Sequence, residues 1–379
     1  MKVTICGGGR TGHLNAVLFK QRPDITVSVL TGSTALADGW ACRNNVWQAM
    51  TTDGQVVSAR PNHVGTDPGE ALRDTDMVIV TQPAQARPAL MHQIGTHLPR
   101  DRQVYLGAIP GSCGFDWLAA KALEGLDNVV IWGMKDVPHT AFGLVPGRMV
   151  RMGGTKSQLF AALHRRQSPT DRAALAGMLA RLFEAPVTML QDFLEITLTP
   201  GNALMHPAVL YGLVGPEAPW QDIPFDKPIC WWSDCPRAGA ELLELCDAEN
   251  QAIRDAATSR LSIDLSTVKP LKQELIEAYG KQIEDDRTMY SLLRTNRAYA
   301  GIQAPLVPNP QGPGLIIDRD SRAFYEDIAF GQALLVEMAA RLNVGIPAIA
   351  KIYHWACRYH GGLTKGMPDY MPADWPEAA

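Results

Sequence analysis

The chain has 379 residues, 46% of them hydrophobic and 20% charged, with a formal net charge of −4. That length exceeds one ordinary core and predicts two domains of a soluble globular protein. The mild negative balance provides no general field for nucleic acid or an anionic membrane, so neither is an expected partner.

Seven cysteines are scattered along the chain. Cys230 and Cys235 have no matching second pair, so the spacing predicts reduced thiols and no metal site. The opening Met1-Lys2-Val3-Thr4-Ile5-Cys6 runs into a strand without a signal-peptide core. No later run approaches the ~18 apolar residues of a membrane span. The expected location is the cytoplasm.

Val3-Thr4-Ile5-Cys6 reads as a strand, and Leu14 to Phe19 suits a helix. Between them Gly7, Gly9 and Gly12, with Arg10 and Thr11, spell G-x-G-x-x-G in the strand-to-helix setting that a dinucleotide-binding turn requires. Gly7 allows the tight turn, Gly9 lets backbone approach a pyrophosphate, and Gly12 lets helix and strand pack closely. The free N–H groups of the helix start would then meet the anion. A methyltransferase-like cofactor loop is the main competitor.

The second strand, Ile25 to Leu30, ends in Thr31-Gly32-Ser33. An NAD site ordinarily places an acidic residue here and an NADP site an arginine. The nearest of either type are Asp38 and Arg43. The absence of a basic group beside Thr31 leans the expectation towards NADH over NADPH.

Asp53-Gly54 between Val46–Met50 and Gln55–Ala59 predicts a hairpin decorating the sheet. Strands follow at Met77–Val80, Val104–Gly107 and Val129–Trp132, each separated by a helix. This alternation predicts a parallel, doubly wound sheet, with ligands beyond the carboxyl ends of its strands. The loops there are Thr81-Gln82-Pro83-Ala84 and Ile109 to Phe115, which make Gln82, Pro83 and Ser112 candidates for ligand contact. Arg148 to Lys156 reads as a last strand and turn, and Asp171 to Glu184 as a helix. The first domain is placed at 1–187 and a helical second domain at 188–379.

Met189 to Leu198 reads as a helix leading into Thr199 to Gly212. Here Asn202 and His206 are one helical turn apart, bracketed by Pro200 and Pro207, which predict a kink. A histidine in an apolar run is either a satisfied core residue or an acid/base group. Pro216 to Pro236, with Trp231-Trp232, reads as a long loop covering a core or a site. Helices are expected over Glu241–Ala257, over Leu271–Ala278 and from Asp285-Asp286 onward, the acidic pair favouring the helix start. Ser321 is the expected cap of a helix running to Leu342. Arg322 and Glu326 have the spacing of a surface ion pair, while Asp327 falls on the apolar side, where a buried carboxylate needs a partner such as His206.

With these residues assembled, the chain resembles the opine dehydrogenases of the octopine/nopaline dehydrogenase type over nearly its whole length. The resemblance rests on the glycine loop, Gly153-Gly154-Thr155-Lys156, and Met205 to Gly212. It rests also on Asp285-Asp286 with Tyr290, Thr295 to Gly301, and Arg322 to Ile328. It implies an α/β Rossmann-like domain followed by an all-α domain of the 6-phosphogluconate-dehydrogenase-like C-terminal architecture, with a cleft between them. It implies NAD(P)H-dependent condensation of a small α-keto acid with the amine of an amino acid, by a monomer or homodimer. His206 would be the acid/base, Asp327 its partner, and Arg322 the binder of a substrate carboxylate. Asn202 and Ser112 would stand near substrate.

The chain departs from the octopine-forming pattern at Ser112, where those members resemble one another in having glutamine. It departs again at Lys135-Asp136-Val137-Pro138-His139. The alternatives are a ketopantoate-reductase-like keto-acid reductase and a non-catalytic NAD(P)-sensing protein.

Overall fold

The computed structural model describes residues 1–42, 46–216, 218–363 and 369–377. Arg43 lies outside the described residues. Two compact units are present, Met1–Thr197 and Leu198–Ala379.

The strands of the first unit are β1 (Lys2–Cys6), β2 (Thr26–Leu30), β3 (Trp47–Met50), β4 (Val56–Ala59), β5 (His63–Gly65), β6 (Met77–Val80), β7 (Val104–Ala108), β8 (Val129–Met134), β9 (His139–Val145), β10 (Met149–Thr155), β11 (Leu159–Leu163) and β12 (Val187–Met189). An eight-stranded sheet runs β12-β11-β8-β7-β6-β1-β2-β5, parallel except where β11 meets β8. Its central strands are buried on both faces, as Met77 to Val80 show, and therefore read as continuous apolar runs rather than alternating ones. The helices are α1 (Arg10–Phe19), α2 (Thr34–Cys42), α3 (Pro68–Leu72), α4 (Arg87–Gly95), α5 (Phe115–Ala122), α6 (Pro169–Phe183) and α7 (Leu194–Thr197). β1 is hydrogen-bonded to β2 on one side and to β6 on the other. The strand order therefore reverses at the β1/β6 boundary, which is where a doubly wound sheet offers its crevice.

The hairpin around Asp53-Gly54 forms, as β3 and β4 in antiparallel register. It belongs to a second sheet, β4-β3-β10-β9. The strand expected from Arg148 onward is β10, in this smaller sheet, and Gly153 and Gly154 lie within it instead of forming a turn. The exposed Phe142 ring of β9 lies over Gly153, 2.3 Å from where a Cβ would stand.

Residues 189–198 are not the expected single helix. Val187 to Met189 pair in parallel with Leu159 to Ala161. The backbone N–H of Leu190 then reaches the Ala161 carbonyl at 2.7 Å, and Arg172 donates to the Leu190 carbonyl at 2.7 Å. Asp192, ion-paired with Arg165 at 2.6 Å, accepts the Leu194 N–H, and only the one-turn α7 follows. Pairing to the sheet outweighs the helical pattern there.

The second unit contains α8 (Asn202–Val214), α9 (Arg237–Leu261), α10 (Leu271–Tyr279), α11 (Met289–Thr295), a π-helix (Ala323–Gln332), α12 (Ala333–Leu342) and α13 (Pro347–His360). A small antiparallel pair, β13 (Leu306–Pro308) and β14 (Leu315–Ile317), joins them. α8 is continuous through Pro207 and buried on nearly every side. Gly212 meets Gly239 of α9 so closely that a Cβ would stand 2.6 Å from the Gly239 Cα. The acidic pair does not start α11: Thr288 caps it in a reciprocal box with Ser291, while Asp285 binds Arg287.

Ser321 is not a side-chain cap either. Its hydroxyl oxygen is buried without a hydrogen-bond partner, although its carbonyl accepts the Phe324 N–H at 3.1 Å, and the helix is π-wound over ten residues from Ala323. Such winding is rare and concentrates at functional sites. Among the described residues no helix is long and apolar enough to cross a membrane.

Candidate active site

In the first unit the glycine loop has the form its spacing predicts. Gly7 is left-handed at φ +128°, and a Cβ on it would lie 2.6 Å from the Thr81 hydroxyl, so the loops after β1 and β6 abut. A Cβ on Gly12 would lie 1.9 Å from the Gly7 carbonyl oxygen, whereas one on Gly9 would meet nothing within 4 Å. Gly9 is the N-cap of α1 and supplies no side-chain cap, so the first N–H groups of α1 open onto free space beside Arg10 and Thr11. That geometry fits a pyrophosphate. Thr31 is buried, and its hydroxyl accepts the Ser33 N–H at 3.1 Å.

Gln82 and Ser112 are joined by a residue that the sequence reading passed over. Arg87, at the first position of α4, is only 2% exposed. It donates to the carbonyls of Gln82 at 3.1 Å, Ser112 at 2.8 Å and Pro110 at 2.9 Å. Its sequence signal was slight: an arginine directly before a proline at a helix start.

In the second unit His206 Nδ1 lies 2.8 Å from Asp327 Oδ2. The entry to α8 is fixed by Asn250, which donates to the Leu198 carbonyl at 3.0 Å, and by Gly201, whose φ is +40°. The π-helix approaches α8 at Gly331, where a Cβ would come 2.4 Å from that of Ala203. These close contacts bring residues 121 positions apart in sequence into one hydrogen bond. Asp327 is 6% exposed. Burial raises its carboxyl above the usual range, and the adjacent His206 opposes that rise. An imidazole so held has a defined tautomer, with Nε2 left for a reacting group.

Trp231 and Trp232 lie nearly parallel to the His206 ring, with centroids at 4.8 and 5.5 Å. Their loop is anchored where the Trp231 N–H reaches the Ile302 carbonyl at 2.8 Å, and Trp232 leans on Tyr299. The Trp-Trp dipeptide was the sequence signal that the loop covers a site.

Arg322 is ion-paired with Glu326, Nε to Oε2 at 2.7 Å, as their spacing predicts. Nη2 donates to the same Glu326 oxygen; the arginine side chain is largely exposed and the glutamate buried, so one edge of the guanidinium is engaged and the rest is open. Asn202, the first residue of α8, is exposed and makes no hydrogen bond to His206. A cavity of about 790 Å³ in this unit lies towards the C-terminal end of α8, lined by Val214, Trp220, Arg319 and Trp355 among others. Neither His206 nor Asp327 lines it.

A family model described as NAD/NADP octopine/nopaline dehydrogenase, alpha-helical domain, matches residues 189–360. The uncharacterized protein y4xO of Sinorhizobium fredii is 71% identical over 379 residues, the whole of both chains. Octopine dehydrogenase of Mizuhopecten yessoensis is 28% identical over 364 residues, covering 94% of this chain and 89% of that one. A solved structure of octopine dehydrogenase with NADH and L-arginine superposes with a TM-score of 0.83 at 27% identity, covering 95% of this chain and 90% of the other.

Proposed function

The chain belongs to the opine dehydrogenase family of NAD(P)-dependent oxidoreductases acting on CH–NH groups, and from that premise we propose that it joins a small, pyruvate-like α-keto acid to the amino group of an amino acid and oxidises the product in reverse. The observation that carries this reading is the His206–Asp327 hydrogen bond. A protein that only senses a nucleotide needs no oriented imidazole.

The first unit is assigned the dinucleotide, held at Gly7, Gly9, Arg10, Thr11 and Gly12, with Thr31, Gln82 and Pro83 beside it. NADH is favoured over NADPH because Thr31-Gly32-Ser33 supplies no cation for a 2′-phosphate. When bound, the nicotinamide supplies or accepts the hydride.

The second unit is assigned the proton chemistry. In the forward direction His206 gives a proton from Nε2 to the oxygen that leaves the carbinolamine as water. Asp327 on Nδ1 keeps the ring in the required tautomer and stabilises its cationic form. In reverse, neutral His206 takes the proton. The flat faces of Trp231 and Trp232 limit ring rotation and exclude water. The open tip of Arg322 suits two-point contact with a carboxylate, and Asn202 and Ser112 are assigned to substrate polar groups. We place the reaction in the cytoplasm, with a monomer or homodimer as the acting form.

The test follows loss of the NADH absorbance with a panel of keto acids, each with and without amino acids. Oxidation that requires both partners is the expected result. Equal rates without any amine would reassign the chain as a keto-acid reductase.

A further inference from the structure

Arg87 is buried, and its guanidinium lies within ion-pair distance of no carboxylate among the described residues. Burying a cation is costly unless polar groups replace its hydration. Here the replacement is three backbone carbonyls and the face of Phe115, whose ring centroid is 5.7 Å from the guanidinium carbon. Arg87 also stands at the N-terminus of α4, where the helix dipole disfavours a cation. An apolar residue at this position would avoid both costs but would leave three part-buried carbonyls without this donor.

What the side chain accomplishes is a connection. The Gln82 carbonyl belongs to the loop after β6. The Pro110 and Ser112 carbonyls belong to the loop after β7. The second loop is under backbone strain: Cys113 and Gly114 are consecutive left-handed residues at φ +64° and +63°, and such a conformation at a non-glycine residue persists only where its surroundings hold it. A planar five-donor fork is the side chain suited to holding three carbonyls at once.

We propose that Arg87 is a positioning residue that makes the loops after β6 and β7 one rigid body, so that dinucleotide binding at Gln82 and Pro83 orders Ser112 for the second ligand. This rests on the reading of Gln82 and Ser112 given above. Neither loop has to touch the other's ligand: the guanidinium transmits the constraint.

The experiment measures amide hydrogen exchange with and without NADH in the full chain. In the wild type, NADH slows exchange in both 81–86 and 110–115, with the same dependence on its concentration. In Arg87→Lys, which keeps the charge but lacks the fork, NADH slows only 81–86. In turnover assays Arg87→Lys raises the amine KM roughly tenfold, the size expected when a ligand-positioning contact is loosened, with a smaller change in kcat.

Protection of 81–86 alone in the wild type would overturn the proposal without reference to any variant, which covers the case of a lysine variant that does not fold. Unchanged coupling in a folded Arg87→Lys would overturn it too. Protection of neither loop overturns it together with the dinucleotide assignment. Coupled protection in a wild type that turns over no keto acid with amine leaves this proposal standing and removes the proposed reaction.

Discussion

His206 Nδ1 and Asp327 Oδ2 are 2.8 Å apart, and the carboxylate is buried while the imidazole is partly open. An amide at 327 is near-isosteric but no longer stabilises an imidazolium and admits the wrong tautomer. Asp327→Asn is expected to lower kcat by on the order of 10³–10⁴, with the KM for NADH unchanged. His206→Ala combined with Asp327→Asn should cost little more than His206→Ala alone, because the two act as a unit. Additive losses in steady-state kinetics would mean that they act separately.

Trp232 is 4% exposed and packs on both His206 and Tyr299. Trp232→Ala removes a buried aromatic and should destabilise the fold by about 3–5 kcal/mol in denaturant titration. Trp232→Phe retains a flat face and is expected to keep most activity. If the two variants lose activity equally, the indole N–H matters and not the stacking.

Gly9 and Gly12 separate binding from folding. Gly12→Ala sets a Cβ 1.9 Å from a backbone carbonyl and should lower the melting temperature as well as abolish NADH binding. Gly9→Ala meets no protein atom within 4 Å, so the melting temperature should hold. Its NADH affinity, read by fluorescence titration, should fall roughly tenfold or more because the methyl occupies the space of the pyrophosphate.

Arg322 is largely exposed, but the Glu326 carboxylate that it anchors is buried. Arg322→Met leaves that carboxylate without its cation and should lower the melting temperature. Loss of a charge-assisted carboxylate contact should raise the keto-acid KM by roughly one to two orders of magnitude. An unchanged KM would confine Arg322 to its ion pair.

Asp247, buried under α10 and accepting the Leu271 N–H at 2.9 Å, has its carboxyl pushed up by burial from 3.8 to about 6. The folded state binds this proton more tightly than the unfolded chain does, so stability falls as pH rises from near 4 through 6 and stays at the lower level above. Asp247→Asn keeps an acceptor for the Leu271 N–H without the buried charge. The variant should be more stable than wild type by on the order of 1–3 kcal/mol at pH 7–8 and equal to it below about pH 4. Melting curves across that range check the sign.

Much of this protein was legible in the sequence because the signals were local. Strand and helix periods, the hairpin at Asp53-Gly54 and the spacing of Gly7, Gly9 and Gly12 each depend on neighbours within a few residues. So does the Arg322–Glu326 pair, and the order of motifs pointed to the family. The sequence also named Asp327 as a carboxylate in need of a partner, and His206 as a suitable one. Whether they meet depends on a π-wound helix and a glycine-to-alanine contact, which no local pattern encodes.

The departures have the same origin. Residues 187–190 joined the sheet because β11 offered an open edge, and β10 left the main sheet to pair with β3. The Ser321 hydroxyl makes no capping bond, and Thr288, rather than the acidic pair, capped α11. Arg87 was invisible because its three partners are backbone carbonyls, and a carbonyl carries no residue identity. The sequence by itself determined which chemistry was present and in what order along the chain. The tertiary structure alone decided which groups meet, because hydrogen bonds between distant residues depend on how closely whole elements pack.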